Sequence, residues 1–238
     1  IGKDFSVNDK TFILSWTTTP WTLPGNVALA VGENIDYVFS KQKNGEIFIL
    51  AKERFGALGL SGQHDKVFKG KDLIGLTYEA LFEAEPLKSK NSYKIYGADF
   101  VTTTDGTGVV HTAVMYGEDD YKLGVKLGLP QHHTVDEIGK FTKDVKVLRG
   151  MYVKGNETEK KILDYLTKNN NLLKTESYKH EYPHCWRCST PLLYYARSSW
   201  FVAMAKLKKE LLKSNEAINW IPEHVKNGRF GEWLRDVK

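Results

Sequence analysis

Short apolar runs alternate with glycine-containing turns over the first 110 residues, a pattern typical of short β-strands. The predicted strands cover residues 11–16, 27–31, 36–40, 46–51, 93–96 and 107–111. Asn44 and Gly45 stand between two of these runs, and this dipeptide is a strong signal for a hairpin turn. The spacing predicts a β-barrel or a β-sandwich for this part of the chain.

Helical patterns interrupt and follow the strands. Asn156 with Glu159 three residues later is a helix-start signature, and an apolar face follows until the asparagines at 169–171. Two more helices are predicted over residues 117–128 and over residues 206–214, the latter basic and amphipathic. The pattern therefore predicts a mixed α/β fold.

Length and charge exclude some classes of protein. The 238 residues contain enough apolar side chains for a core, but no apolar run approaches the roughly 18 residues of a membrane span. The first residues lack the hydrophobic stretch of a secretory signal, so we expect a soluble protein without a membrane partner. The net charge of +5 favours an anionic partner only mildly. Because the chain lacks an initiator methionine and begins in what reads as a strand, we expect a fragment of a longer protein.

The segment WTTTPWTLPGN, residues 16–26, is the most informative in the chain. Its four threonine hydroxyls lie within six positions: Thr17, Thr18, Thr19 and Thr22. Each following proline biases Thr19 and Leu23 away from helical geometry, so we expect a stiff, extended backbone that presents hydroxyls. Threonines also pack well in ordinary strands, but packing alone explains neither the prolines nor the tryptophans.

A second group of polar residues follows the glycine-rich turn at residues 105–108. Val109 and Val110 are predicted to carry His111 to the end of a strand, where a single histidine is more often structural than catalytic. Carboxylates at residues 118–120 suit a helix start, which accounts for Glu118. Three acids exceed that need, and Asp120 could bind an ammonium group at the same rim.

Both cysteines lie in one motif, with Cys185 and Cys188 separated by two residues. Such a pair is half of a tetrahedral zinc site, and His180 or His184 could add a ligand. No second pair is present, and nothing indicates an oxidising compartment that would favour a disulfide. We expect a half-site whose partner ligands lie outside this fragment, and no complete zinc site within it.

Together these motifs resemble the editing insertion (CP1) of isoleucyl-tRNA synthetase. The resemblance rests on residues 16–26, 106–111, 117–120 and 182–188, and the segment 228–237 extends it over essentially the whole chain. Valyl and leucyl insertions carry Thr-Thr-Arg-Pro where this chain has Thr19 before the proline, and the valyl type has lysine in place of His111. An editing domain of either of those enzymes is therefore disfavoured.

The resemblance implies a β-barrel-like editing domain with peripheral helices. Its core would cover residues 1–180, and residues 181–238 would lead back toward a synthetic domain that this chain lacks. No His-x-Gly-His or Lys-Met-Ser-Lys-Ser motif occurs, so ATP would be used only by that absent domain. We expect no cofactor for editing itself.

The implied reaction is hydrolysis of valine from mischarged tRNA(Ile), with isoleucine excluded by size. One methylene is worth only about 1 to 3 kcal/mol in an apolar pocket, a limit for which isoleucyl-tRNA synthetase is the established example. A second site that admits valine and excludes isoleucine multiplies the selectivity of the first. The implied partners are the tRNA 3′ end, valine and the rest of a cytoplasmic synthetase, and we expect a monomer.

The resemblance also implies roles for individual residues. Threonines would hold the terminal adenosine, the ester and a water: Thr17, Thr18, Thr19 and Thr22. Trp21 would form a wall of the adenosine site, and His111 would limit the size of the acyl side chain. Asp120 would receive the α-ammonium group, and Gly117 and Asp119 complete the substrate-binding set.

Five residues are the catalytic candidates: Thr17, Thr18, Thr19, His111 and Asp120. None is an obvious strong base, and a threonine hydroxyl without one is a poor nucleophile, so we expect direct attack by a positioned water. Residues 114–116 depart from the family, in which proline usually follows Ala113, so the shape of this loop is open. A module that binds aminoacyl-adenosine without cleaving it is the alternative function.

Overall fold

The computed structural model describes residues 10–60, 62, 64 and 66–237. The expected strand at the very start of the chain, residues 1–9, lies outside them. The chain divides into two compact units, Ile1–Ala196 and Arg197–Lys238. The functional division expected at residue 180 stays a prediction.

The strands form two small sheets, both in the first unit. The strands are β1 (Thr11–Ile13), β2 (Ala28–Val31), β3 (Asp36–Lys41), β4 (Ile47–Ala51), β5 (Val67–Lys69), β6 (Lys94–Gly97) and β7 (Val109–Thr112). One sheet has the order β1-β4-β3-β5, and the other has the order β6-β2-β7. The β3–β4 hairpin turns at Gly45, whose φ of 87° few other residues adopt, as the Asn-Gly pair predicts. Strand β5 was not predicted.

Buried hydrogen bonds join the two sheets. The Tyr37 hydroxyl donates to the Gly108 carbonyl at 2.6 Å and accepts from the Gly32 amide at 3.1 Å. The Ala51 amide donates to the Thr107 carbonyl at 2.8 Å. Side chains of both sheets share one apolar cluster. The mixed α/β class is confirmed, but the described strands form two open sheets and do not close into a barrel.

Five α-helices complete the described structure. They are α1 (Glu118–Leu127), α2 (Asn156–Lys168), α3 (Met204–Ala217), α4 (His224–Asn227) and α5 (Arg229–Asp236). Helix α1 ends at Gly128, which adopts the left-handed conformation with φ of 62°. Helix α2 begins where predicted, but its N-cap is Gly155 and no side chain caps it. No helix in the described residues is long and apolar enough to cross a membrane.

The threonine segment folds differently from the extended backbone that the prolines predict. A 3-10 helix covers Pro20–Gly25, with Pro20 in the first turn, where its missing N–H costs nothing. Thr19 is non-helical, as predicted, but Leu23 lies inside the helix although Pro24 follows it. Trp21 and Leu23 are both buried in the apolar cluster against α2. Burial of these two side chains outweighs the local preference of the residue before proline.

Candidate active site

A pocket of about 250 Å³ lies beside the 3-10 helix. Its lining residues come from the threonine segment, from the loop before α1 and from the extended segment after α2: Thr18, Thr19, Trp21, Thr22, Tyr116, His180, Glu181, Tyr182, Pro183 and Tyr194. Four predicted site residues are therefore among its walls: Thr18, Thr19, Trp21 and Thr22. The pocket combines hydroxyls with aromatic rings, the usual composition of a small-molecule site.

Hydrogen bonds within the threonine segment fix the orientation of its hydroxyls. The Thr19 amide donates to Oγ1 of Thr17 at 3.0 Å, and the hydroxyls of Thr17 and Thr19 are 3.3 Å apart. Thr17 therefore supports Thr19 from behind the pocket wall. Thr18 lines the pocket, and its hydroxyl makes no hydrogen bond within the described residues, so it is open to a ligand or water.

Thr22 connects the threonine segment to His111. The Thr22 hydroxyl donates to the Thr19 carbonyl at 2.8 Å and lies 2.9 Å from Nε2 of His111. Because a hydroxyl has one proton, Nε2 must donate the second bond, which places the imidazole proton on Nε2. Burial lowers the pKa of His111 to about 4, so the ring is neutral at pH 7. Nδ1 is buried without a hydrogen-bond partner in the described part of the chain.

His111 lies within β7, opposite Leu29 of β2, and its side chain is buried. It was expected at a strand end, and it is the last but one residue of β7. The residue is buried because β7 pairs with β2 through Thr112 and Thr22 of the 3-10 helix lies against the imidazole.

The Asp120 side chain is hydrogen-bonded to the backbone just after the same strand. Its Oδ2 accepts from the Ala113 amide at 3.1 Å, two residues after His111. Burial raises the pKa of Asp120 to about 6, the carboxylate of Asp119 adds to the rise, and the Ala113 hydrogen bond opposes it. Gly117 allows this approach, since a Cβ there would lie 3.0 Å from Oδ2.

The three predicted site residues at the start of α1 do not line the pocket. Gly117, Asp119 and Asp120 are not among its lining residues. Glu118 forms a 2.7 Å ion pair with Lys122 on the helix surface, so it has the structural role expected of it.

Trp21 is more deeply buried than an open adenosine wall requires. Its exposed fraction is 5%, and its ring packs edge-on against Tyr116 with centroids 5.3 Å apart. Its indole N–H is buried without a hydrogen-bond partner among the described residues. The ammonium group of Lys154 lies 5.7 Å from the Trp21 ring and 3.9 Å from the Tyr182 ring. It therefore makes cation–π contacts with two residues that line the pocket.

Sequence reasoning missed the aromatic segment of residues 178–184, of which residues 180–183 line the pocket. Tyrosines and histidines alternate there, and adjacent rings are about 6 Å apart: Tyr178, His180, Tyr182 and His184. Alternation with a period of two indicates an extended segment with its rings on one face, so the signal was present. Trp16 packs edge-on against Tyr178 at 4.9 Å, which holds this segment to the threonine segment.

The two cysteines lie on a tight turn in which Ser189 has a φ of 56°. Sγ of Cys188 is 3.1 Å from the Thr190 hydroxyl, and this hydrogen bond lowers the pKa of the Cys188 thiol. No group of three or more histidine, cysteine or acidic residues suited to a metal occurs in the described residues. The half-site stays a prediction.

Similar proteins place this geometry in a family. The fold is similar to that of GlLeuRS-CP1, with a TM-score of 0.54 and 16% identity, over 68% of this chain and 81% of that one. It is also similar to the P. falciparum cytosolic leucyl-tRNA synthetase editing domain, with a TM-score of 0.54 and 17% identity, over 73% and 82%.

Sequence relatives are much closer. The isoleucine–tRNA ligase of Clostridium novyi (strain NT) is 49% identical over 231 residues, which are 96% of this chain and 22% of the relative. Isoleucine–tRNA ligase 2 of Bacillus cereus (strain ZK / E33L) is 46% identical over 98% of this chain and 22% of its own length. The chain thus spans about a fifth of these relatives. Residues 25–238 match the family described as tRNA synthetases class I (I, L, M and V). The chain therefore belongs to the class I tRNA synthetases of the I, L, M and V group.

Proposed function

We propose that this chain is the editing domain of an isoleucyl-tRNA synthetase and hydrolyses valine from mischarged tRNA(Ile). The observation that carries the proposal is the hydrogen bond between Thr22 and His111, which joins two motifs 89 residues apart in the sequence. The relatives named isoleucine–tRNA ligase and the neighbouring editing-domain folds support it. Thr19 and His111 favour the isoleucyl over the valyl or leucyl type.

The proposed reaction is attack of water on the ester carbonyl, with the bond to the ribose oxygen breaking to release valine. His111 donates its Nε2 proton to Thr22, and burial keeps the ring from becoming a cation, so we assign it to positioning. The hydroxyl of Thr18, which lines the pocket, is available to orient the substrate and the water. Catalysis then comes from orientation and hydrogen bonding, assisted by the ribose hydroxyl next to the ester.

Asp120 is proposed to receive the α-ammonium group of the substrate. Its carboxylate, on helix α1, is half-buried against the Ala113 amide just after the strand that carries His111, and a cation would offset the cost of ionising it there. Because neither His111 nor Asp120 is among the pocket's lining residues, this role requires the substrate to extend beyond the pocket toward the start of α1.

The remaining roles follow from membership in a larger enzyme. We propose that the partners are the 3′ end of tRNA(Ile), valine and the other domains of a cytoplasmic synthetase that ligates isoleucine using ATP. The domain itself would act as a monomer without a cofactor. Size selection would take place at the end of the pocket nearest Thr22 and His111.

Replacing the Thr22 hydroxyl tests the proposal. Thr22→Val keeps the shape of the side chain but removes the bonds to His111 and to the Thr19 carbonyl. Misplacement of reacting groups by about 1 Å can cost about 100-fold in rate, so we expect valine release from valyl-tRNA(Ile) to fall by about that factor. Release of labelled valine by the purified chain is the measurement.

Thr158→Val is the matched control. Thr158 is also buried, and its hydroxyl donates to the Tyr152 carbonyl at 2.7 Å, but it does not line the pocket. Its valine release should stay within about twofold of the unsubstituted chain. Equal losses in both variants would contradict the placement of the site. Tight binding of valyl-tRNA without release would identify a binding module instead.

A further inference from the structure

We infer that Tyr116 is a specificity-determining residue of this pocket, because its anchored ring forms the fixed wall that a longer acyl side chain cannot displace. The inference rests on the proposed function and adds to it the residue that makes the size limit rigid. Tyr116 lies on the loop after β7, five residues beyond His111. It lines the pocket together with Trp21 and Thr22.

The ring of Tyr116 has little space in which to move. Only 6% of the residue is exposed, and the ring packs edge-on against Trp21 at 5.3 Å. His133 and Tyr195 lie at centroid distances of 5.9 and 6.2 Å. A Cβ on Gly25 would approach the ring to 2.9 Å, so only glycine leaves room for it at the end of the 3-10 helix.

The hydroxyl of Tyr116 fixes the ring from its far end. It accepts from the amides of Thr134 and Val135 at 2.7 and 2.9 Å, and it lies 3.1 Å from the Thr134 hydroxyl. The two amides occupy its lone pairs, so its own proton goes to Oγ1 of Thr134. The hydroxyl is therefore fully satisfied in a buried position. Moving the ring would leave two buried amides without an acceptor.

This anchoring distinguishes Tyr116 from an ordinary apolar wall. A leucine or phenylalanine wall can change rotamer to admit one more methylene, whereas Tyr116 cannot do so without breaking three hydrogen bonds. Thr22 lines the same pocket and is hydrogen-bonded to His111, and size selection is proposed beside these two residues. The wall beside Trp21 and Thr22 therefore limits the length of the acyl side chain.

The test is Tyr116→Phe, which keeps the ring and removes its anchor. Release of valine and of isoleucine from the same tRNA(Ile) is measured for the 238-residue chain and the variant. Since one methylene is worth about 10- to 200-fold in a closed pocket, we expect the isoleucine-to-valine release ratio to rise about tenfold. Thr134→Val removes one of the three bonds from outside the pocket, and we expect a smaller rise in the same direction.

Tyr37→Phe is the matched control for a purely structural effect. Tyr37 is equally buried, and its hydroxyl also makes two backbone hydrogen bonds, but it lies between the sheets and away from the pocket. The midpoint of thermal unfolding of Tyr37→Phe should fall, while its isoleucine-to-valine release ratio stays unchanged. An unchanged ratio in Tyr116→Phe, or an equal change in Tyr37→Phe, would overturn the inference.

Failure of the proposed function would look different, because the unsubstituted chain would then release neither amino acid. In that case, equilibrium binding of non-hydrolysable amide analogues of valyl- and isoleucyl-adenosine tests Tyr116 separately. The inference expects Tyr116→Phe to reduce the preference for the valyl analogue. An unchanged preference, or no binding of either analogue, would overturn it.

Discussion

Burial shifts the pKa values of His111 and Asp120 in opposite directions. It lowers the pKa of His111 to about 4 and raises that of Asp120 to about 6, because it disfavours the charged form of each. At neutral pH, His111 is therefore neutral and Asp120 is ionised at a cost. A buried carboxylate of this kind gains most from a cationic ligand, whereas a neutral imidazole is suited to holding a hydrogen bond.

The pKa of Asp120 gives a pH prediction. As pH falls through about 6, Asp120 takes up a proton and loses its attraction for an ammonium group, so KM should rise about tenfold per pH unit below that value. Asp120→Asn keeps an acceptor for Ala113 but should show a raised KM with no such pH dependence. Asp119→Asn, at an exposed position on the same turn, should keep a pH-dependent KM with its midpoint moved to lower pH, because the Asp119 carboxylate adds to the rise of the Asp120 pKa. Identical KM profiles for the chain and Asp120→Asn would contradict the assignment.

The raised pKa of Asp120 also makes the stability of the fold depend on pH. The folded pKa of Asp120 exceeds its unfolded value, so its contribution to stability is present at low pH and is lost as pH rises from about 4 to 6. Without a ligand, Asp120→Asn should therefore raise the free energy of unfolding at pH 7 by about 1 to 3 kcal/mol. Urea unfolding at pH 4 and pH 7 measures this, and the gain should disappear at pH 4.

At the scale of elements, local sequence signals predicted most strands and helices. The Asn-Gly hairpin, the ends of α1 and the start of α2 follow from turn and stop signals that act within a few residues. The 3-10 helix was missed because burial of Trp21 and Leu23 against α2 decides it, and no local pattern reports that contact. Strand β5 is only three residues long and was missed for lack of a pattern.

Gly108 shows how one element positions the site. It precedes β7, its φ is 72°, and a Cβ there would collide with the Ala51 side chain of the other sheet. Gly108→Ala should therefore cost about 2 to 5 kcal/mol, the sum of left-handed strain and overpacking. It should also lower valine release, because β7 carries His111. Urea unfolding and the release assay provide the two readings.

Gly45→Ala separates left-handed strain from overpacking as causes of destabilisation. Gly45 also has a positive φ, 87°, but no atom lies within 4 Å of the position that a Cβ would occupy. It should lose only about 1 to 2 kcal/mol and retain its valine release. Equal losses in the free energy of unfolding for the two alanine variants would show that the close contact between the sheets at Gly108 does not add to the destabilisation.

For the whole molecule, the sequence predicted the fold class, the family and the two motifs that meet at Thr22 and His111. It did not predict the aromatic segment of residues 178–184 or the anchoring of Tyr116, because both depend on contacts between distant segments. The chain spans 22% of the length of the Clostridium novyi relative.

Selective hydrolysis is the most direct test of the account. The purified chain is incubated with tRNA(Ile) charged with valine or with isoleucine, and the initial rates of amino-acid release are compared. If Tyr116 and Thr22, held in place by His111, are walls of a size-selective hydrolytic pocket, valine should be released at least about tenfold faster than isoleucine. Equal rates from the two tRNAs, or no release above the uncatalysed rate, would contradict it.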